Sequence, residues 1–519
     1  MGSRTARRAA IGMWYGGLVL GGTLLVQAAT PWGIGIRHDS LAYLTAAQSL
    51  SNGTCLCWMG SGQVLKPLIH FGPLYPTLLW AVTVLSGDVL VSARWVAAVL
   101  FGVNLAVWGA LVHLHTRRFW AGAIVSGMLA ASLVVLQLHD AAMSEPLFLA
   151  ILALAMMALA DFLASGRSRS LWLAAGAVSL SVLTRYAAGS LVGLGVVAIL
   201  LLRPTSWKGR LADALRFGAG AALPVVLWSA RNIIVAGTAT NRVLRWHPTT
   251  VDDLRTFLRL VTAWFNGGTY SHWLEGATLV GVLVLLAVFL WGLRRTDTGE
   301  TDAAPVLGLL LVGLAGLYPV YIGVARSLFD DSIPIDDRMF APIFVALAAL
   351  TGVVAALVAR HRRARWILLP ALSLLLIASL PYMVSRFRIK YESMRRDGVL
   401  FGSHAWRDSR SVAWARSLPE DSVVYSNQAL VLQFLTGRPV SQLPDGFDSV
   451  KGEERTDFDD QLARMRIDLR KPNSYLLIFN PASPASPEEL QDEFKAGLSV
   501  VQVTEDGFVM ASDASEIGP

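Results

Sequence analysis

Eleven apolar runs, each near the roughly 20 residues that cross a bilayer as a helix, constrain this chain more than any motif in it. They cover approximately residues 11 to 30, 89 to 112, 119 to 138, 146 to 164, 170 to 184, 187 to 202, 214 to 230, 275 to 293, 305 to 324, 340 to 359 and 366 to 384. With 54% hydrophobic and 16% charged residues among 519, the chain is too apolar for an ordinary soluble protein. The expectation is an α-helical multi-pass membrane protein. Thr184-Arg185-Tyr186 splits the fifth run from the sixth, and the two can also be read as one tilted helix.

The basic residues favour the split. With a cytoplasmic N-terminus, the inside segments hold Arg4/Arg7/Arg8, Arg117/Arg118, Arg167/Arg169, Arg203/Lys208/Arg210/Arg216, Arg294/Arg295 and Arg360/Arg362/Arg363/Arg365. Every short basic loop then falls on one face, as the positive-inside rule demands. An odd number of spans sends the C-terminus to the opposite face. The formal net charge of +7 is spent at the ends of apolar runs, not along a soluble stripe, so membrane lipids rather than nucleic acid are the expected partners. The basic N-terminus is like a signal peptide, but Gly33 and Gly35 make no convincing cleavage site, and it is expected to stay as the first span. Cys55 and Cys57 stand too close for an ordinary disulfide, and no histidine or cysteine set with zinc-ligand spacing accompanies them.

Polar chemistry collects on the outer side. The long segment Trp32 to Asp88 holds Arg37-His38-Asp39-Ser40, Tyr43, Lys66-Pro67 and His70-Phe71-Gly72-Pro73-Leu74-Tyr75-Pro76. A second outer segment runs from Asn232 to Leu274. In it, residues 251 to 264 are amphipathic, which suits a helix in the membrane interface or one packed on the protein. The expected division is a transmembrane domain over 1–384 with outer loops 31–88 and 232–274, and a small extracytoplasmic α/β domain over 385–519. In that tail Val423-Val424-Tyr425 and residues 475 to 479 predict buried strands, 409 to 418, 459 to 469 and 487 to 496 predict helices, and Glu505-Asp506-Gly507 predicts a hairpin turn. It has no GxGxxG and no P-loop, so nothing in it proposes a nucleotide site.

Asp39, close to a membrane segment, can serve as a general base on a hydroxyl, or it can cap the helix that follows it. Glu145 precedes Pro146 at the start of the fourth run, where the helix dipole favours a carboxylate. Asp140 and Glu145 lie on the same face as Asp39, so acids from separate loops can converge. Lys66, Arg185, Arg231 and Arg338 sit at outer ends of runs or in the first outer loop, against the inside bias of cations. They suit either a departing phosphate or lipid headgroups.

These residues resemble a known group. Asp39-x-x-x-Tyr43, Lys66-Pro67 and Gly72-Pro73-Leu74-Tyr75-Pro76 are similar to the first outer loop of polyprenyl-phosphate-dependent membrane glycosyltransferases of the GT-C fold, such as the protein O-mannosyltransferases and the lipid A aminoarabinose transferase. Met143-Ser144-Glu145-Pro146-Leu147, Leu183-Thr184-Arg185-Tyr186, Trp228-x-x-Arg231-Asn232 and Asp336-Asp337-Arg338-Met339-Phe340-x-Pro342 extend the resemblance. Ser426-Asn427 and Thr436-Gly437-Arg438-Pro439 carry it into the tail. It implies inverting transfer of a sugar from a polyprenyl phosphate to an acceptor glycan, lipid or protein outside the membrane. Asp39 matches the catalytic base, Glu145 the second acid and Lys66 a phosphate contact, with Tyr43, His70, Tyr75, Arg185, Arg231 and Arg338 as further substrate contacts. No metal site and no cofactor beyond the lipid-linked donor are expected, although a divalent metal stays open. Ser40 stands where many relatives carry a second acid, which weakens metal binding at this loop. The competing class is a secondary transporter, which usually shows paired repeats and charges near mid-membrane.

Overall fold

The computed structural model describes residues 2–266, 272–294, 303–330, 332–361, 363–448, 453–483, 485–487, 490–495 and 497–512. The apolar runs fold as helices, because in lipid each backbone polar group must find its partner within the segment. In chain order they are α1 (Gly2–Ala29), α2 (His38–Ser51), α3 (Leu74–Ser86), α4 (Val89–Thr116), α5 (Phe119–Ala130), α6 (Leu133–Leu138), α7 (Glu145–Ser165), α8 (Ser168–Thr184), α9 (Gly189–Leu202), α10 (Trp207–Ala236), α11 (Val251–Asn266), α12 (His272–Arg294), α13 (Ala303–Leu328), α14 (Asp337–Val358) and α15 (Arg365–Asp397). Among the described residues eight helices are long and apolar enough to cross a membrane, and 74–86, 119–130 and 186–202 form shorter apolar ones. The protein is an integral membrane protein.

Two breaks depart from or decide the hydropathy reading. The run over 119–138 is two helices, with the Ser132 hydroxyl accepting from the Val135 amide at 3.4 Å to start the second. Runs five and six are separate, because Arg185 has an extended backbone (φ −147°, ψ 126°) that ends α8. The apolar stretch after Gly72-Pro73, read as outer loop, is helix α3, with Pro76 in a first turn where its missing N–H costs no helical bond.

Packing divides the chain into two units: Met1–Ala29 with Ile69–Tyr75 and Arg94–Ser393, and Thr30–Leu68 with Pro76–Ala93 and Met394–Pro519. This differs from a hydropathy boundary at 385 by assigning most of the first outer segment to the second unit.

In the first unit the most apolar window of α14 is 100% buried and that of α10 only 11%. α14 is therefore wrapped by protein, while α10 offers its sides to lipid. Helix α11 starts with a reciprocal cap: the Thr250 amide donates to Asp253 at 2.8 Å, and the Asp253 amide donates to the Thr250 hydroxyl at 3.1 Å. The Asp253 carboxylate also meets Arg326 at 3.2 Å. Phe257 packs on Phe340 at 5.0 Å and Trp264 on Phe344 at 5.7 Å, so α11 lies against α14. Helices α1 and α4 cross where a methyl group on Gly102 would stand 2.2 Å from the Val19 carbonyl oxygen, so their backbones touch.

The second unit holds α16 (His404–Arg407), α17 (Arg410–Ser417), α18 (Ala429–Thr436), α19 (Phe458–Asp468) and α20 (Asp492–Lys495). Its strands are β1 (Cys57–Met59), β2 (Leu65–Pro67), β3 (Val423–Ser426), β4 (Ser441–Gln442), β5 (Phe447–Asp448), β6 (Glu453–Glu454), β7 (Ser474–Phe479), β8 (Ser499–Val503) and β9 (Gly507–Ala511). Five of them form a mixed sheet in the order β4-β3-β7-β9-β8, with β3 parallel to β4 and β7, and β9 antiparallel to β7 and β8. Every residue of β7 and β9 is buried, which explains their continuous apolar runs. The side chain of Asn427 exchanges two 3.1 Å hydrogen bonds with the backbone of Phe479 and continues the β3–β7 pairing past the strand end.

The hairpin turn before β9 carries Asp506, which is 7% exposed. Burial pushes its carboxyl pKa up, but the hydroxyls of Ser409, Ser411 and Thr504 and the Ser411 amide outweigh that and hold it below the usual value. Cys55 and Cys57 form a disulfide, against the expectation from their spacing. The Cys57 amide donates to the Cys55 carbonyl at 2.8 Å, a three-residue turn that brings the Cα atoms to 5.1 Å, within disulfide reach.

Candidate active site

Glu145 is the first residue of α7, after the cap Ser144 and before Pro146, where the helix dipole favours its charge. Its side chain is 2% exposed; Arg338 Nε donates to Oε1 at 3.0 Å, and Arg185 Nη1 forms an ion pair with the same oxygen at 2.8 Å. The helix break places Arg185, whose Nη1 also donates to the Ser144 hydroxyl at 3.2 Å. Arg338 is the second residue of α14, a helix capped by Asp336, which accepts from the Met339 amide at 2.9 Å. Three remote segments thus bring two guanidiniums to one carboxylate. A buried pair is tolerated only when its members are compensated, and here one carboxylate oxygen is shared by two guanidiniums. Guanidinium forks match anions with several acceptor oxygens, such as a phosphate.

Other polar groups pack around this cluster. Tyr318 on α13 is fully buried, its hydroxyl has no hydrogen-bond partner among the described residues, and it interacts electrostatically with Arg185 and Glu145. The Asn104 amide donates to the Pro146 carbonyl at 2.9 Å and stands 3.2 Å from His139 Nε2. His139 Nδ1 faces the Val135 carbonyl at 2.7 Å, so Nδ1 carries the proton and Nε2 accepts from Asn104. Asp140, also buried, pairs with Lys390 at 2.7 Å.

A second knot ties residues 69–72 to the end of α8. The Tyr186 hydroxyl accepts from Trp228 Nε1 at 2.9 Å and donates to the Ile69 carbonyl at 3.0 Å. A methyl on Gly72 would stand 2.2 Å from the Leu183 carbonyl oxygen, so only glycine permits this approach. His70 packs edge-on against Phe71 at 4.8 Å and Tyr75 is 1% exposed. Arg231 stacks over Trp228 at 4.8 Å and donates to Asn232 at 3.0 Å.

Asp39, Tyr43 and Lys66 belong to the second unit. Asp39 lies in the first turn of α2 and is half-buried; the cap position itself falls to Arg37, whose amide donates to the Ser40 hydroxyl at 2.9 Å. Ser40, in the place of a second acid, therefore closes the start of the helix. Tyr43, one turn on, is 2% exposed. Lys66 is exposed on β2, with Nζ 5.9 Å from the Trp58 ring centre. The tail motifs are structural: Asn427 extends the sheet, and Arg438 donates to the Pro419 carbonyl at 2.7 Å. Among the described residues no three histidine, cysteine or carboxylate side chains are grouped to hold a metal ion.

Neither protein-family models nor curated proteins give a match to the sequence. Solved structures do. ArnT from Cupriavidus metallidurans bound to undecaprenyl phosphate is similar over 98% of this chain and 99% of that one, with a TM-score of 0.58 at 14% identity. The chain has the GT-C fold. Arabinofuranosyltransferase AftD from Mycobacteria (TM-score 0.54, 16% identity) shares it over 96% of this chain and 40% of that one. Oligosaccharyltransferase AglB from Archaeoglobus fulgidus, in complex with an inhibitory peptide and a dolichol-phosphate, matches over 90% of this chain and 69% of that one, with a TM-score of 0.52 at 12% identity.

On this GT-C scaffold the site residues that sequence reading missed are Tyr318, Asn104 and Lys390. Tyr318 and Asn104 sit inside apolar helices, where a single polar residue carries a weak signal. Lys390 follows an apolar run, where a basic residue reads first as a membrane-end charge.

Proposed function

We propose that the protein is an inverting membrane glycosyltransferase that moves a sugar from a polyprenyl phosphate to an acceptor outside the membrane. The observation that carries this reading is the buried Glu145 carboxylate gathering Arg185 and Arg338 from remote segments of the chain, on a GT-C fold. Asp39 takes the proton of the acceptor hydroxyl or amine as that atom bonds to the anomeric carbon. The bond from that carbon to the phosphate oxygen breaks, and the polyprenyl phosphate leaves with the electron pair. Arg185, Arg338 and Lys66 stabilise its charge, and Glu145 positions the two arginines. A phosphate is a good leaving group, so no protonated acid is required, and the reaction is written without a metal.

The reading includes a bacterial plasma membrane, with the N-terminus cytoplasmic and the C-terminal unit outside. The basic loops support this orientation, as does the 55–57 disulfide, which suits an oxidising compartment. The test is twofold: mass spectrometry of glycolipids and glycoproteins from cells with and without the gene, and consumption of polyprenyl-phosphate sugar by the protein in nanodiscs. Loss of one sugar modification together with donor consumption that Asp39→Asn abolishes is expected. An unchanged glycan profile with no donor consumption overturns the reading.

A further inference from the structure

The second unit contains a cavity of about 600 Å³, within the range of small-molecule sites, that the proposed chemistry does not use. It is walled by α2, the α3–α4 corner and α18. Gln48 near the end of α2 and Asn52 just after it are four residues apart, hence on one side, and both present their amides to the solvent-open face of this space. Asp88 at the α3–α4 corner is held by the Leu90 and Val91 amides on one oxygen, at 2.7 and 2.9 Å. Phe434 of α18 supplies an aromatic surface, and no lysine, arginine or histidine lines the space.

The walls are fixed in advance. Gln433 accepts from the Gln63 amide at 2.9 Å and donates to the Gly60 carbonyl at 2.9 Å, while Gln63 Nε2 donates to the Gly437 carbonyl at 2.7 Å. These bonds join α18 to the 60–63 loop, so the cavity exists without a ligand.

Each primary amide offers a donor and an acceptor side by side, which matches neighbouring hydroxyls that can both give and receive. One carboxylate with no cation excludes phosphates, sulfates and uronates. An aromatic surface suits the apolar C–H face of a sugar ring. We infer that this cavity binds a neutral oligosaccharide, the saccharide part of the acceptor. The word acceptor rests on the transferase reading; the binding does not.

The test uses the full-length protein in nanodiscs and saturation-transfer NMR with three neutral trisaccharides, built of glucose, mannose and arabinose, and a trisaccharide of uronic acids. At least one neutral trisaccharide is expected to bind, with the uronate failing. Gln48→Ala, Asn52→Ala and Phe434→Ala are each expected to weaken binding about tenfold, the size of one good neutral contact, with thermal melting confirming that they fold. Should a variant not fold, Asn52→Asp, which adds a second negative charge, serves instead and weakens binding of the neutral sugar. Absence of binding by all three neutral sugars, preference for the uronate, or equal binding by folded variants overturns the inference. Because no turnover is measured, a protein that binds the sugar but never consumes donor leaves this inference standing and removes only the transferase.

Discussion

Two buried carboxylates, one in each unit, are satisfied in opposite ways. Glu145 is held by two guanidiniums, whereas Asp506 is held by three hydroxyls and an amide. Neutral donors satisfy a carboxylate and leave nothing over, which is all a hairpin turn needs. Two guanidiniums on one carboxylate instead gather cationic groups from remote segments of the chain at a single point. Glu145 thus gathers charged side chains from across its unit, whereas Asp506 ties down a single turn.

The largest test of this contrast is Glu145→Gln. It takes the carboxylate charge away from two guanidiniums, and breaking a buried pair costs about 3–5 kcal/mol, so both thermal stability and donor turnover should collapse. A folded, fully active variant would erase the distinction. Asp506→Asn comes next: replacing charge-assisted bonds with neutral ones should cost about 2 kcal/mol of stability. Turnover per folded molecule, measured at equal folded fraction, should stay unchanged.

The same carboxylate predicts an acid limit. Its pKa is depressed in the folded protein, so its stabilisation is complete above the unfolded aspartate value of about 3.9 and is lost as pH falls through the lower folded value. Acid unfolding followed by circular dichroism should show a step there that Asp506→Asn flattens; an unaltered curve would remove Asp506 from the account. The smallest effect is expected for Tyr186→Phe, which deletes the hydroxyl joining Trp228 to Ile69 for about 1 kcal/mol. A small shift in melting temperature is its measure, and a loss as large as that of Glu145→Gln would mean that the second knot belongs to the active site.

Much of the helical unit was legible because hydropathy and charge act locally. The break at Thr184-Arg185-Tyr186 followed from loop charge, and Glu145-Pro146 announced a helix start that the structure confirms. The strands at 423–426 and 474–479 and the turn before Gly507 were equally local. What stayed hidden depends on distance along the chain. The pairing of Asp140 with Lys390, 250 residues apart, has no periodic signature (390 − 140 = 250). Neither does the packing of residues 30–68 with the C-terminal sheet. The Cys55–Cys57 bond stayed hidden for a different reason: a sequence separation of two residues reads as too close, yet the turn between them sets the Cα atoms 5.1 Å apart, inside the usual disulfide range.

The glycine crossing of α1 on α4 has a practical consequence for anyone redesigning this protein. Much of α1 faces outward, with only 17% of its most apolar window buried, so its surface tolerates wide exchange among greasy side chains. At Gly22 the tolerance is nil, since a single extra carbon there would stand 2.7 Å from the Gly102 Cα of α4 and wedge the first helix off its neighbour. Deep mutational scanning should therefore see a helix that is permissive along its length and intolerant at one point, a profile that reveals where two rods touch without any coordinates.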